Sequence, residues 1–274
     1  MTLFAPDYYN KFKCIADKCK NNCCIGWEID IDEKTLEFYK TKEDIIKKVE
    51  FSPTPHFKLG NDERCPFLNN ANLCEIINKY GKNSLCQICS DHPRFRNFFD
   101  SRTEIGIGMC CEAATEIILN NDFKLIAIEN YNKTKINKEE QEFFEYREMI
   151  FKGTPEDFVS LLPNLTLNEI YIILSNMEKL SDSRDEMIKV LKDDNRKIYE
   201  VRLPDITSFK RIFDYFIFRH LHSESLKFCV LCTYIIAALG NNIKENARIF
   251  SSEIEYSDEN TDILYEILEQ NEMP

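Results

Sequence analysis

Apolar side chains recur at helical spacing in the second half of the chain. From about residue 138 they return every three to four positions, as they do along the buried face of an α-helix. Thr166 and Glu169 have the spacing of a capping box, which marks the start of a helix. Residues 138–274 are therefore predicted to form a helical region. The individual helices are predicted at residues 138–152, 166–180, 208–221 and 225–239.

The first 120 residues follow a less regular pattern. Residues 26–32, "GWEIDID", alternate between apolar and polar positions as a short β-strand does, and residues 33–50 have helical spacing. Residues 51–74 are interrupted by Pro, Asn and Gly. Residues 95–111 predict a β-hairpin, and residues 112–120 predict a helix directly after it.

These patterns predict a mainly α fold with two regions. Residues 1–120 form a cysteine-rich, metal-organised region with short β elements. Residues 138–274 form the helical region, which is a candidate for binding a substrate. The first region is expected to need a metal because its regular elements are short and its loops are long.

The composition is that of a globular protein. A chain of 274 residues, 43% of them hydrophobic, can bury a core without the help of disulfides. The first residues lack the basic and apolar regions of a signal peptide. The longest apolar stretch, "FCVLCTYIIAAL", is shorter than the roughly 20 residues that a membrane span needs. A soluble, cytoplasmic protein with no membrane partner is therefore expected.

The negative charge is concentrated in the second part of the chain. The formal net charge is −12, and almost all of it is carried by residues 116–274. This distribution argues against nucleic acid as a partner and favours a basic protein surface. An acidic surface that only keeps the protein in solution is the alternative interpretation.

Cysteines are concentrated in the first part of the chain. Of the 12 cysteines, all but Cys229 and Cys232 lie between Cys14 and Cys111. Thiols stay reduced in the cytoplasm, so this density favours metal ligands, with buried free thiols as the alternative. Cys229 and Cys232 fall on the apolar face of a predicted helix and are interpreted as buried apolar residues.

The most specific metal-binding motif is the C-x2-C pair of Cys86 and Cys89. Two residues between two cysteines allow both thiolates to face one metal, and thiolates bind zinc and iron at about 2.3 Å. Cys65 and Cys74 lie just upstream and could complete a four-ligand site.

A second group of thiols precedes this site. Adjacent side chains point in different directions, so Cys23 and Cys24 are not expected to bind one metal side by side. Either they serve two centres, or one is a ligand while the other packs. The second group is formed by Cys14, Cys19 and Cys23 or Cys24.

Four blocks of the sequence resemble the flagellin lysine N-methylase family in order and spacing. They span about residues 8–115, and "FDYFIFRHL" adds a looser similarity in the helical region. The family belongs to a broader group of cysteine-rich proteins that chelate zinc or iron. Members typically have Pro after the cysteine of the last block, which makes Cys110 the family cysteine and Cys111 an addition. The blocks read "FKCIADKCKNNCCIGWEIDID", "CPFLNNANLCEI", "SLCQICSDHPRF" and "CCEAA".

The resemblance implies a specific activity. A methyl group would pass from S-adenosylmethionine to lysine side chains of flagellin, or of another basic protein surface that bears lysines. A 4Fe–4S cluster or zinc would be bound by cysteines, while no catalytic or donor-binding residue is identified. A metal-scaffolded binding module without catalysis and an iron–sulfur electron-transfer protein are the alternatives. The implied metal ligands are Cys14, Cys19, Cys23, Cys24, Cys65, Cys74, Cys86, Cys89 and Cys110.

Overall fold

The computed structural model describes residues 2–130 and 135–270. Two units make up the chain. The cysteine-rich unit is Lys13–Arg94, and the helical unit combines Met1–Phe12 with Phe95–Pro274.

The predicted region 1–120 is thus shared between the two units. Its first twelve residues and those from 95 onwards belong to the helical unit, which the sequence pattern did not indicate. Residues 131–134, in the predicted connection between the two regions, lie outside the described residues.

The regular elements are mostly short helices. The strands are β1 (Thr2–Pro6), β2 (Val49–Glu50), β3 (His56–Phe57), β4 (Arg94–Phe98), β5 (Arg102–Ile107) and β6 (Leu125–Asn130). The α-helices are α1 (Glu33–Lys40), α2 (Glu43–Ile46), α3 (Glu75–Tyr80), α4 (Gln87–Asp91), α5 (Glu112–Leu119), α6 (Lys138–Phe151), α7 (Leu167–Asn176), α8 (Ser183–Ile188), α9 (Ile206–His220), α10 (Leu226–Ala238), α11 (Ile243–Ile254) and α12 (Asp258–Gln270). Short 3-10 helices lie at Tyr9–Lys11, Ala16–Lys18, Asn61–Glu63, Lys82–Ser84, Pro155–Leu161, Lys189–Leu191 and Ile198–Glu200.

A mixed sheet joins the beginning of the chain to its middle. Its strand order is β4-β5-β1-β6, with β1 parallel to β5 and antiparallel to β6. The predicted hairpin of β4 and β5 and the helix after it, α5, are confirmed. Strands β1 and β6 were not predicted, because β1 is short and ends in Pro6, and neither alternates regularly between apolar and polar residues.

Helices α9 and α10 lie at the centre of the helical core. Phe209 and Phe216 of α9 are fully buried, and so are Cys229 and Cys232 of α10. The interpretation of these two cysteines as buried apolar residues is confirmed. Gly240, with a φ of +96°, follows the end of α10 and adopts the left-handed conformation that favours glycine.

The four helices predicted in the second part of the chain are confirmed as α6, α7, α9 and α10. The capping box of Thr166 and Glu169 is present at the start of α7. Helix α7 ends earlier than predicted, because the backbone of Met177 is extended. The buried Arg184 guanidinium donates hydrogen bonds to the carbonyl groups of Met177 and Glu178 at 2.9 and 2.7 Å. Within the described residues, no helix has the length and apolarity needed to cross a membrane.

Two predictions in the cysteine-rich unit are wrong in detail. Residues 26–32 do not form a strand, although Ile29 and Ile31 are both buried as the alternation requires. Residues 33–50 form α1, α2 and β2 rather than one helix. Lys42 is extended and separates α1 from α2, so that Tyr39 and Ile45 can both enter the core of this unit.

Candidate metal centre and a buried carboxylate cluster

Three cysteines of the cysteine-rich unit are brought together by backbone pairing. The Cys65 N–H group donates to the Cys24 carbonyl oxygen at 2.8 Å, which places these two loops side by side. An antiparallel bridge between Leu68 and Cys74 then brings Cys74 next to the segment that follows Cys65. Residues far apart in sequence thus become neighbours.

The C-x2-C pair is held at the start of α4. Cys86 is the N-cap residue of this helix and Cys89 lies in its first turn. The Asp32 carboxylate accepts a hydrogen bond from the Gln87 N–H group at 2.8 Å and another from the Thr35 N–H group at 3.0 Å. Asp32 therefore caps α1 and fixes the start of α4 at the same time. Although desolvation opposes it, these hydrogen bonds hold the pKa of Asp32 below its usual value.

The thiols of these segments change one another's pKa. Cys86 and Cys89 share a hydrogen bond, which lowers the pKa of Cys86 and raises that of Cys89. A charge on Cys24 or Cys65 raises the pKa of Cys89 further. Burial raises the pKa of Cys65 to about 11, and a charged Cys74 adds to that effect. We call Cys24, Cys65, Cys74, Cys86 and Cys89 the thiol cluster.

The thiol cluster has the donors that a soft metal requires. Each thiolate would repel the next in a partly buried site, so several thiolates together require a cation. Zinc and the iron of iron–sulfur clusters displace thiol protons and bind the thiolates, whereas hard cations prefer oxygen. Within residues 2–130 and 135–270, no three His, Cys, Asp or Glu side chains converge on one point as metal ligands do. The residues match a thiophilic metal by the chemistry of their donor atoms.

The other amino-terminal cysteines make more local contacts. Cys23 hydrogen-bonds to the adjacent Cys24, which raises the pKa of Cys24 and lowers that of Cys23. The exposed Cys14 accepts a hydrogen bond from the Ala16 N–H group at 3.4 Å, and Cys19 donates to the Asn21 carbonyl oxygen at 3.3 Å. The assignment of Cys14 and Cys19 to a second metal group stays a prediction.

Cys110 belongs to the helical unit. Burial raises the pKa of its thiol to about 12, although a hydrogen bond with the Tyr256 side chain and the charge of Arg219 act in the opposite direction. Its assignment as a metal ligand also stays a prediction.

A buried carboxylate close to Cys110 was not indicated by the sequence. The Glu255 side chain is 0% exposed and accepts hydrogen bonds from the Tyr215 hydroxyl group at 2.9 Å and from the Ser251 hydroxyl group. It also lies 2.5 Å from Nε2 of His220 and 3.2 Å from Nε of Arg219. Although burial alone would raise it, the charge of Arg219 and the hydrogen bond from His220 hold the pKa of Glu255 below its usual value.

We call Glu255 and the side chains around it, those of Tyr215, Arg219, His220 and Ser251, the carboxylate cluster. This cluster anchors the loop that carries Cys110. The Met109 N–H group donates to the Tyr215 hydroxyl oxygen at 3.2 Å, and Arg219 donates to the same oxygen at 2.8 Å. The blocks "FDYFIFRHL" and "CCEAA" therefore meet at one place in the helical unit. The sequence signal for this cluster was the pair of Arg219 and His220 directly after the apolar run "YFIF" of α9.

Part of the chain is similar in sequence to curated proteins of Salmonella. The lysine-N-methylase of Salmonella typhimurium is 27% identical to this chain over 136 residues, which is 44% of this chain and 33% of that protein. The lysine-N-methylase of Salmonella choleraesuis is similar to the same extent. Part of the chain is therefore similar in sequence to two lysine-N-methylases.

The relationship is distant and partial. The chain spans about a third of the length of these two lysine-N-methylases. The flagellar biosynthetic protein FliU of Salmonella muenchen is also 27% identical over 136 residues, which is 79% of its length. No model of a known protein family matches the chain, and no solved structure does.

Proposed function

We propose that this protein is a protein-lysine N-methyltransferase that modifies a flagellar protein, with S-adenosylmethionine as the methyl donor and a thiol-bound metal centre. The observation that carries the proposal is the similarity to two proteins named lysine-N-methylase and to the flagellar protein FliU. The order of the cysteine blocks supports the same family, and the thiol cluster supports the metal.

The proposed reaction is a direct transfer of a methyl group. The neutral lysine Nζ atom attacks the methyl carbon of the donor, the bond from carbon to sulfur breaks, and S-adenosylhomocysteine leaves. The methylated nitrogen then releases one proton to a base or to water. Such a transfer requires that the amine lies in line with the methyl group and that water is excluded.

The thiol cluster would hold the metal. Zinc or a 4Fe–4S cluster bound there would take up the thiolates and contribute folding free energy to the loops that carry them. Cys86 and Cys89 would be bound from the start of α4, and Cys24, Cys65 and Cys74 from the paired loops.

The acidic charge of the chain suits a basic substrate. The net charge of the whole chain is −12, so it would attract a lysine-bearing surface by long-range forces that salt weakens. Flagellin or another basic protein surface is therefore the proposed partner.

The test is a transfer assay with metal-loaded protein. Anaerobically purified protein is mixed with methyl-labelled S-adenosylmethionine and flagellin, and the labelled residues are mapped by mass spectrometry. We expect label on flagellin lysines, less label at high salt, and none on flagellin with acetylated lysines. Absence of label, from protein that retains its metal, would contradict the proposal. Protein that binds flagellin but transfers no methyl group would instead be a metal-scaffolded binding module.

A further inference from the structure

The thiol cluster includes only one cysteine of an adjacent pair. Cys24 packs against the buried core of the cysteine-rich unit, and its carbonyl oxygen accepts a hydrogen bond from the Cys65 N–H group at 2.8 Å. Its neighbour Cys23 is exposed. The two thiols share a hydrogen bond. One thiol of the pair is therefore part of the interior of the unit, while the other is open to small molecules in solution.

A tight turn holds this pair. Cys23 and Cys24 are the central residues of a β-turn that is closed by a hydrogen bond from the Ile25 N–H group to the Asn22 carbonyl oxygen at 3.2 Å. The Asn22 side-chain oxygen also accepts a hydrogen bond from the Cys24 N–H group at 2.9 Å. The indole N–H group of Trp27 donates to the Cys23 carbonyl oxygen. The backbone of the pair is thus fixed by contacts that involve neither sulfur atom.

A disulfide between adjacent cysteines is strained. Neighbouring Cα atoms are about 3.8 Å apart, which is less than the roughly 4.4–6.8 Å across an ordinary disulfide. The strain makes such a bond easy to reduce, and easily reduced disulfides are typical of regulation rather than of structural support. In the C-x2-C pair, by contrast, Cys86 is fully buried, so an oxidant in solution reaches the exposed Cys23 first.

We propose that Cys23 and Cys24 form a redox switch that controls the occupancy of the thiol-bound metal centre. The inference rests on the metal centre of the proposed function and is independent of methyl transfer. The oxidant is a small-molecule disulfide such as glutathione disulfide.

The switch operates by two thiol–disulfide exchanges. The Cys23 thiolate attacks one sulfur of the small disulfide, whose bond between the sulfurs breaks and releases one thiolate. The Cys24 thiolate then attacks the Cys23 sulfur of the mixed disulfide and releases the second thiolate. The protein loses two electrons, the small disulfide is reduced to two thiols, and the two protein thiol protons end on these thiols.

The disulfide removes one ligand from the metal centre. A metal binds the thiolate form of cysteine, and the Cys24 sulfur is no longer a thiolate once it is joined to Cys23. The remaining thiols therefore hold the metal less tightly, and reduction of the disulfide restores the ligand. Of the two alternatives for this pair, the proposal makes Cys24 the ligand and Cys23 the residue that responds to the oxidant.

The test follows the release of zinc from the whole zinc-loaded protein in glutathione disulfide, with a colorimetric chelator. Zinc is the probe because it takes no part in redox reactions itself. We expect Cys23→Ser to release zinc roughly tenfold more slowly than the unchanged protein, and dithiothreitol to restore zinc binding to the oxidised protein. Cys111→Ser is the matched control, because Cys111 also follows a cysteine directly but caps α5 in the helical unit. It should release zinc like the unchanged protein.

Mass spectrometry identifies the disulfide. Trypsin cleaves after Lys20 and Lys34 and yields the peptide of residues 21–34, in which Cys23 and Cys24 are the only cysteines. We expect this peptide to lose two hydrogen atoms on oxidation and to regain them on reduction. The measurement uses the unchanged protein, so it decides the question even if a variant does not fold.

Three results would overturn the switch. One is equal zinc release from Cys23→Ser and the unchanged protein, and another is a disulfide between Cys86 and Cys89 with peptide 21–34 still reduced. The third is loss of zinc from folded Cys23→Ser before any oxidant is added, which would make Cys23 a ligand.

The same measurements separate this inference from the proposed function. Zinc that stays bound during oxidation would overturn the switch and leave the metal centre and the methyltransferase. Reduced protein that binds neither zinc nor iron would contradict the metal centre of the proposed function, and the switch with it.

Discussion

At the scale of single residues, the cysteines occupy two different environments. Those of the thiol cluster are near other thiols and belong to short elements and loops. Cys229 and Cys232 lie inside α10, and burial raises the pKa of both thiols well above the usual range. The same residue type is therefore expected to bind metal in one unit and to act as an apolar side chain in the other.

This difference predicts opposite effects of cysteine substitutions. Cys86→Ser and Cys89→Ser should lose bound metal and soluble protein together, because the remaining thiols cannot replace the missing ligand. Cys229→Ala and Cys232→Ala, the controls, should retain all the metal and lose only about 1 kcal/mol of stability through packing. Metal content per protein and thermal melting check both expectations. Unchanged metal content in Cys86→Ser and Cys89→Ser would exclude this pair as ligands.

The buried Glu255 predicts a pH dependence of stability. Its pKa is lower in the folded protein than in the unfolded chain, where a Glu has a pKa of about 4.3. The stabilisation from ionised Glu255 is thus present above about pH 4 and is lost as the pH falls through the folded-state pKa.

We expect Glu255→Gln to be less stable than the unchanged protein at pH 7, and the difference to shrink below about pH 4. Denaturant titrations at several pH values give the free energy of unfolding of both proteins. Acid-induced loss of metal affects both proteins equally, so it cancels when one free energy is subtracted from the other. A difference that stays constant from neutral to acidic pH would contradict the role of the carboxylate charge.

At the scale of elements, one side chain connects the first helix to the C-x2-C pair. Asp32 caps α1 and accepts a hydrogen bond from Gln87 in the first turn of α4. The C-x2-C pair is thus positioned by a residue more than fifty positions earlier in the chain. The sequence motif identifies the two cysteines but not the side chain that holds them in place.

Loss of this cap should affect stability and metal release together. We expect Asp32→Ala to destabilise the protein by about 1 kcal/mol and to release metal faster to a chelator. Asp205→Ala is the matched control, since Asp205 caps α9 of the helical unit and should cost a similar free energy without changing metal release. Equal release rates in the two variants would show that Asp32 does not position the metal-binding pair.

At the scale of the whole molecule, the two units depend on different stabilising interactions. The helical unit has a large apolar core around α9 and α10. The cysteine-rich unit has a much smaller buried core, and two of its buried members, Cys65 and Cys86, belong to the thiol cluster. A metal would contribute most to the unit with the smaller core.

Metal removal should therefore unfold one unit selectively. We expect a strong chelator to abolish amide-exchange protection in Lys13–Arg94, while α9 and α10 keep theirs. Exchange measured by mass spectrometry before and after chelation gives the comparison, and restoration of the metal should restore protection. Unchanged protection of the cysteine-rich unit in metal-free protein would show that the metal does not organise it.

The sequence by itself determined the elements that depend on neighbouring residues. The helices α6, α7, α9 and α10, the capping box at Thr166 and the hairpin of β4 and β5 were predictable, because apolar periodicity, caps and turns are local signals. The C-x2-C pair of Cys86 and Cys89 was recognisable for the same reason. The break between α1 and α2 could not be predicted in this way, because it depends on the burial of Tyr39 and Ile45 in the core of the folded unit.

Only the tertiary structure decided which distant residues meet. Cys24 lies beside Cys65, β1 pairs with β5, and Glu255 accepts hydrogen bonds from Tyr215 and His220 of α9. Each of these contacts joins residues at least 35 positions apart, so no local pattern encodes them. They form because burial requires partners for polar groups and thiols, and the folded chain as a whole determines which partners are within reach.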